Sequence, residues 1–124
     1  MKRILVVDDE PTGAKLTSAR LMQAGYDVTL AANGEEGLAL INQKAPDLVI
    51  LDLALPKLSG YEVCMLMKNN GRLKRIPVVM LTAKTKEQDM RQGMACGANA
   101  YFSKPCDFDA LLGKVRTLLE NNIV

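Results

Sequence analysis

The chain alternates short, unbroken apolar runs with longer stretches in which apolar residues recur at helical spacing. Ile4-Leu5-Val6-Val7, Leu48-Val49-Ile50-Leu51 (within an expected Asp47–Asp52 strand) and Ile76-Pro77-Val78-Val79-Met80-Leu81 are the clearest runs. A short apolar run bounded by turn residues is how a strand buried on both faces reads. Tyr26 to Ala31 alternates enough to predict another strand, and Ala100 to Ser103 a short fifth one. Between them the pattern predicts helices. One opens at Glu10-Pro11-Thr12, with Pro near the first turn where its missing N–H costs nothing, and runs to about Ala24 with Gly25 as its stop. A second follows the Asn33-Gly34 turn signal, with Glu35 and Glu36 where the helix dipole favours acids and Leu38 and Ile41 on the inner face. Pro46 closes that connection. A third runs from about Gly60 to Asn70 with Val63, Cys64 and Met67 inward. The fourth, charged and weakly apolar, covers about Lys86 to Met94. Asp107 caps the last, whose Leu111, Leu112, Val115, Leu118 and Leu119 fall on one face.

Strand and helix thus alternate five times, with no linker, repeat or low-complexity segment. Strands that alternate with helices are joined by crossovers, which predicts an α/β, doubly wound parallel sheet with helices on both faces. Residues 1–124 read as one domain. In such sheets ligands bind at the carboxyl-end rim, where the strand order reverses.

That rim concentrates the chemistry. Four strands end in a distinctive residue: Asp8-Asp9, Asp52, Thr82 and Lys104. Any one could be a helix cap or a solvated tip, but all four at successive strand ends are harder to attribute to capping. An acid following Leu48–Leu51 cannot stay unpaired in an apolar layer, so Asp52 is expected at the rim. Three carboxylates brought together repel unless a cation sits among them. Hard oxygen ligands with room for water suit Mg²⁺. A lysine and a hydroxyl can hold phosphoryl oxygens, and an aspartate can itself be the nucleophile that forms an aspartyl phosphate. Phosphoryl transfer needs mainly positioning and charge neutralisation, which these groups supply.

Composition narrows the reading further. A net charge of +2 is too mild to imply nucleic acid, so no direct nucleic-acid contact is expected. The basic run Arg72, Lys74, Arg75 reads as a solvated loop. No apolar run approaches the ~20 residues of a membrane span, so no membrane insertion is expected. Met1-Lys2-Arg3 leads into only four apolar residues before Asp8, a strand start and not a signal peptide. Three cysteines, Cys64, Cys96 and Cys106, without Cys-x-x-Cys spacing predict small buried hydrophobes or bystanders and a cytoplasmic protein. There is no histidine, which excludes Ser-His-Asp and Cys-His catalysis and histidine metal ligation.

The sequence resembles a receiver domain of bacterial two-component response regulators over essentially its whole length. Val7-Asp8-Asp9-Glu10, Asp52 followed by Leu55-Pro56 and Gly60, Thr82-Ala83, and Lys104-Pro105 carry the resemblance. It implies a flavodoxin-like (βα)5 fold with strand order 2-1-3-4-5. It further implies Asp52 as phosphoacceptor, Asp9 as a direct metal ligand, Asp8 acting largely through water, and a backbone carbonyl from Ala54. The implied metal is Mg²⁺, with Mn²⁺ able to substitute. Thr82 and Lys104 would hold phosphoryl oxygens, Ala83 would leave room for their approach, and Tyr101 would be the aromatic switch partner of Thr82. Lys104-Pro105 matches a bond that is usually cis in the family, although X-Pro bonds are mostly trans. The donor would be a sensor histidine kinase, a histidine phosphotransfer protein or a small acyl phosphate. Output would pass to a protein target through the fourth helix, fifth strand and fifth helix, including Lys84, Lys86, Met90, Met94, Tyr101 and Lys114.

Ala54 and Lys84 flank the expected approach of a hydrolytic water and would help set the phosphoryl lifetime. Leu55 stands where the family more often has Met, a volume-conserving change. Other readings fit less of the chain. A haloacid-dehalogenase-like phosphatase would use Asp8-Asp9-Glu10-Pro11-Thr12 as Asp-x-Asp-x-Thr, but Glu10 replaces the second acid and Asp52 is left without a role. A flavodoxin-like flavin binder would want a phosphate-cradling loop where Asp8-Asp9-Glu10 stands, and a pseudo-receiver would lack one of the site residues. A stand-alone regulator is expected in preference to a receiver excised from a longer protein with its own effector.

Overall fold

The computed structural model describes residues 1–83 and 86–121. Leu48, Val49, Ile50 and Leu51 are all buried, as are all five residues of Val78–Thr82. Neither segment has a solvent face, so each must be covered by helices on both sides. Five parallel strands result: β1 (Arg3–Val7), β2 (Asp27–Ala31), β3 (Leu48–Leu51), β4 (Val78–Thr82) and β5 (Ala100–Ser103). They lie in the order β2-β1-β3-β4-β5. Five helices connect and follow them: α1 (Pro11–Gln23), α2 (Gly34–Lys44), α3 (Gly60–Lys68), α4 (Glu87–Ala95) and α5 (Phe108–Asn121).

Alternating side chains of the same strands build two cores. Leu5, Val7, Val49, Leu51, Val78 and Met80 pack with Ile41 of α2 and Val63, Cys64 and Met67 of α3. Ile4, Val6, Leu48, Ile50, Val79 and Leu81 pack with Leu21 of α1 and Leu111, Val115 and Leu119 of α5. Most of the inward residues expected from helical spacing are in the core, with Leu112 and Leu118 half-buried at its margin, but Leu38 is half-buried outside both clusters and Leu40 packs at the margin in its place.

The helix ends follow local chemistry. Glu10 caps α1 by accepting from the Gly13 N–H, with Pro11 at the first position. The helix ends where the Gly25 N–H donates to the Met22 carbonyl and the Tyr26 N–H to that of Leu21, with Gly25 at φ +97°. This paired closure needs the left-handed conformation that glycine adopts freely. It also removes Tyr26 from β2, which starts at Asp27. Asn33 caps α2 through the Glu36 N–H, and Ser59 with Glu62 forms a capping box on α3. Asp107 accepts from the Asp109 N–H at 2.9 Å, the expected start of α5.

Several ends fall short of their expected positions. β3 excludes Asp47, whose carboxylate accepts from the Arg3 N–H at 2.7 Å. β4 starts after Pro77, whose carbonyl accepts from the Val49 N–H while its nitrogen has no proton to give. α3 stops at Lys68, whose ammonium turns to the carbonyls of Lys74 and Ile76 at 3.1 and 2.8 Å. Burial holds that ammonium below its ordinary value. In the basic loop, Arg72 donates to the Asn42 carbonyl at 2.8 Å, so that residue is an anchor to α2. No helix among the described residues is long and apolar enough to cross a membrane.

Candidate functional site

Because all strands are parallel, their carboxyl ends share one edge, and the order reverses between β1 and β3. Asp8 and Asp9 follow β1, Asp52 follows β3, Thr82 ends β4, and Lys104 follows β5. The expected site residues are therefore brought to one rim. Carboxylate oxygens of Asp8, Asp9 and Asp52 lie within 4.8 Å of one another, with Asp8 and Asp52 buried and Asp9 exposed.

Backbone and side-chain donors fix the two buried acids. Asp8 Oδ1 accepts from the Glu10 N–H at 3.0 Å, and Asp52 Oδ1 from the Ala54 N–H at 3.1 Å. Their other oxygens share one cation: Lys104 Nζ lies 2.7 Å from Asp8 Oδ2 and 3.1 Å from Asp52 Oδ2. Burial pulls the Lys104 ammonium down, but its hydrogen bonds and charge pairing with Asp8 and Asp52 outweigh this and hold it above the ordinary lysine value. Lys104 is placed by the edge of the sheet, since its own N–H donates to the Thr82 carbonyl at 2.8 Å. The Lys104-Pro105 peptide is cis, as the resemblance implied.

Thr82 is fully buried, and Ala83, just beyond it, is exposed. Tyr101 is half-buried in β5, its ring against Gly93 of α4. Burial first, then the nearby Tyr61, Asp89 and Asp52, push the Tyr101 hydroxyl up to about 12. Ala54 is exposed beside Asp52. Met90 and Met94 on α4 and Lys86 before it are exposed, and Lys114 is half-buried. Lys84 lies outside the described residues.

The sequence marks Gly60 as the start of the third helix and as part of the resemblance, but not as a contact of Asp52. A β-carbon there would overlap the Asp52 carbonyl oxygen and stand 2.8 Å from Leu53 Cα. The Gly60 N–H donates to the Leu53 carbonyl at 3.0 Å, so the start of α3 is seated directly on the loop that carries Asp52. A second unforeseen contact is from Tyr61 to α4, for which a single half-exposed aromatic on a helix gave no signal. The direct pairing of Lys104 with the acids also went unforeseen, although three acids beside one lysine was its available sign.

The family model for the response regulator receiver domain matches residues 4–116. The chain belongs to the response regulator receiver family. Among its relatives is the DNA-binding dual master transcriptional regulator RpaA of a Synechocystis species, 47% identical over 119 residues that make up 96% of this chain and 49% of RpaA. Protein PilH of Pseudomonas aeruginosa is 37% identical over 96% of this chain and 98% of its own length. A solved receiver domain of a P. aeruginosa sensor histidine kinase, with a magnesium ion coordinated in its active-site cleft, superposes with a TM-score of 0.90. It is 28% identical and the match covers 97% of this chain and 98% of that one. The chain thus spans about half of RpaA and nearly all of PilH. It is a receiver domain of two-component response regulators, a signalling domain.

Proposed function

We propose that Asp52 is the phosphoacceptor of this receiver and that Thr82 and Lys104 receive the phosphoryl oxygens. The observation that carries the reading is the Lys104 ammonium bridging Asp8 and Asp52 at the switch point of the sheet. Oxygen donors from three carboxylates, one of them exposed so that water can complete the shell, suit Mg²⁺ or Mn²⁺. Asp8, Asp9, Asp52 and the Ala54 carbonyl would hold the ion, and it would supply neutralisation of the phosphoryl charge. The magnesium in the related P. aeruginosa receiver supports this assignment.

The chain's own part in the transfer follows from its contacts. Both oxygens of Asp52 are engaged at rest, one by the Ala54 N–H and one by Lys104. For Asp52 to attack phosphorus, Lys104 passes from the carboxylate to a phosphoryl oxygen. The new O–P bond forms as the bond from phosphorus to the donor's imidazole nitrogen, or to the oxygen of an acyl phosphate, breaks. The donor's leaving group takes the electron pair. These 124 residues hold no histidine, so the donor histidine lies outside them, on a sensor kinase or phosphotransfer protein. Output runs to a protein partner through α4, β5 and α5. The length of RpaA supports a second arrangement, in which the same receiver precedes an effector domain of its own.

The test is intact-protein mass after incubation with acetyl phosphate, or with a phosphorylated histidine donor, for the native chain and Asp52→Asn. The expected result is a phosphoryl adduct that requires Mg²⁺ and is absent from the variant. An adduct that survives in the variant would move the acceptor to Asp8 or Asp9 and favour phosphatase-like chemistry. No adduct from either donor would overturn the proposal.

A further inference from the structure

The helix expected to carry output is the one least held by apolar packing. Gly93 is the only buried residue of α4, and it contributes no side chain to the core. Its neighbour α3 buries Val63, Cys64 and Met67. Two side chains of α3 reach across to α4 and bond its backbone near both ends. The Tyr61 hydroxyl donates to the Asp89 carbonyl at 3.3 Å in the first turn, and the Cys64 thiol donates to the Cys96 carbonyl at 3.5 Å just past the last. A thiol is a weak donor and the phenol bond is long, so each link is breakable. The residue next to Tyr61 is Gly60, seated without clearance against the Asp52 carbonyl.

We infer that Tyr61 is a positioning residue that clasps α4 in its resting place, forming a route from Asp52 to α4 through Gly60 and α3. The inference rests on the phosphoacceptor reading for what drives the change, but the clasp itself is a property of the unphosphorylated chain. A displacement of the loop that carries Asp52 is passed by Gly60 to the first turn of α3, where it shifts the Tyr61 hydroxyl from the Asp89 carbonyl. Coupling of this kind is reciprocal: whatever loosens α4 must favour the phosphorylated state by the same factor.

The test is Tyr61→Phe, which removes one oxygen and keeps the ring. Amide hydrogen exchange is measured in the unphosphorylated full chain, and Mg²⁺-dependent affinity for beryllofluoride, a phosphoryl mimic, is measured in both proteins. The loss of one weak hydrogen bond is expected to speed exchange roughly two- to fivefold in α4, with α1, α2 and α5 unchanged. Beryllofluoride should bind the variant more tightly by the same factor. Unchanged α4 exchange overturns the clasp, as does an equal rise in every helix, which is global destabilisation. Faster α4 exchange with unchanged beryllofluoride affinity leaves a structural bond and overturns the coupling. If the native chain binds no beryllofluoride, the phosphoacceptor reading fails and takes the coupling with it, and the exchange comparison scores the clasp separately.

Discussion

Replacing Lys104 by methionine is the sharpest probe of how the acidic cleft is balanced. The side chain keeps its length and loses its charge, leaving Asp8, Asp9 and Asp52 within 4.8 Å without an ammonium between them. At the observed 2.7 and 3.1 Å, two unit charges in a medium of effective dielectric ~20 attract by roughly 5–6 kcal/mol before desolvation is charged against them. Removing one member of a buried pair typically costs about 3–5 kcal/mol, because the other is left uncompensated. Lys104 is 27% exposed where its partners are 5% and 9% exposed, so water recovers part of that loss. The expected cost is about 2–3 kcal/mol in the presence of a chelator, or a fall of roughly 10 °C in Tm for a domain of this size. The variant should then be rescued by Mg²⁺ more than the native chain is, since the divalent ion enters a cleft no longer occupied by an ammonium. Ligand stabilisation grows as RT ln(1 + [L]/Kd), reaching about 2.7 kcal/mol at one hundred times Kd. Thermal melts of both proteins, in chelator and in saturating Mg²⁺ at matched ionic strength, measure all four states. If the variant is as stable as the native chain in chelator, Lys104 is not balancing the acids. If Mg²⁺ raises both proteins equally, the ammonium and the metal do not share the cleft.

Two further predictions test elements around the site. Gly60→Ala forces the start of α3 off the Asp52 carbonyl and should cost about 2–3 kcal/mol while slowing phosphoryl uptake, and a melt within ~0.5 kcal/mol of native would show that the two segments are not in tight contact. Burial, reinforced by Cys96, pushes the Cys64 thiol up from 9.0 to about 11. The unfolded chain therefore gives up that proton at lower pH than the folded one, so stability is lost as pH rises from about 9 to about 11, by roughly 2–3 kcal/mol at 1.36 kcal/mol per pH unit. Urea titrations across that range should show a shallower decline for Cys64→Ala, and equal slopes would mean that the thiol ionises as readily folded as unfolded.

The strands were legible because burial on both faces leaves no room for polar residues. Leu48–Leu51 is apolar throughout for that reason, and the residues where such runs stop lie on one edge once the strands are parallel. Asp8, Asp52, Thr82 and Lys104 could thus be grouped before any distance was known. Boundaries were less legible because polar side chains decide them. Asp47 leaves β3 to bond the Arg3 N–H, and past Lys68 the Asn70 side-chain oxygen accepts from the Arg72 and Leu73 N–H groups as the chain turns into the next loop. Contacts set by the path of a loop were not legible at all. Nothing in Ser59-Gly60-Tyr61 announces that its glycine rests on the Asp52 carbonyl or that its tyrosine reaches Asp89, because both facts depend on how α3 leaves the sheet.

The division between rigid and yielding parts follows from where apolar area is buried. Every residue of β3 and β4 is buried, so these strands cannot shift without opening two cores at once, whereas Asp52 stands just past β3 in a loop that is not so bound. Three carboxylates against one ammonium leave the cleft two charges negative, which a divalent ion would cancel. On the proposed reading, a phosphoryl group on Asp52 adds negative charge in a loop that stands on strands that do not move. Lys104 answers first, since it is shared between Asp8 and Asp52 and can leave one for the phosphoryl oxygen. The remaining response falls on whatever is held most weakly nearby. That is α4, which buries one glycine and is tied to α3 by a long phenol bond and a thiol. Fixed strands beside a helix of low stability convert a local change of charge into a change of surface, because the free energy needed to move the helix is small compared with that needed to move the strands.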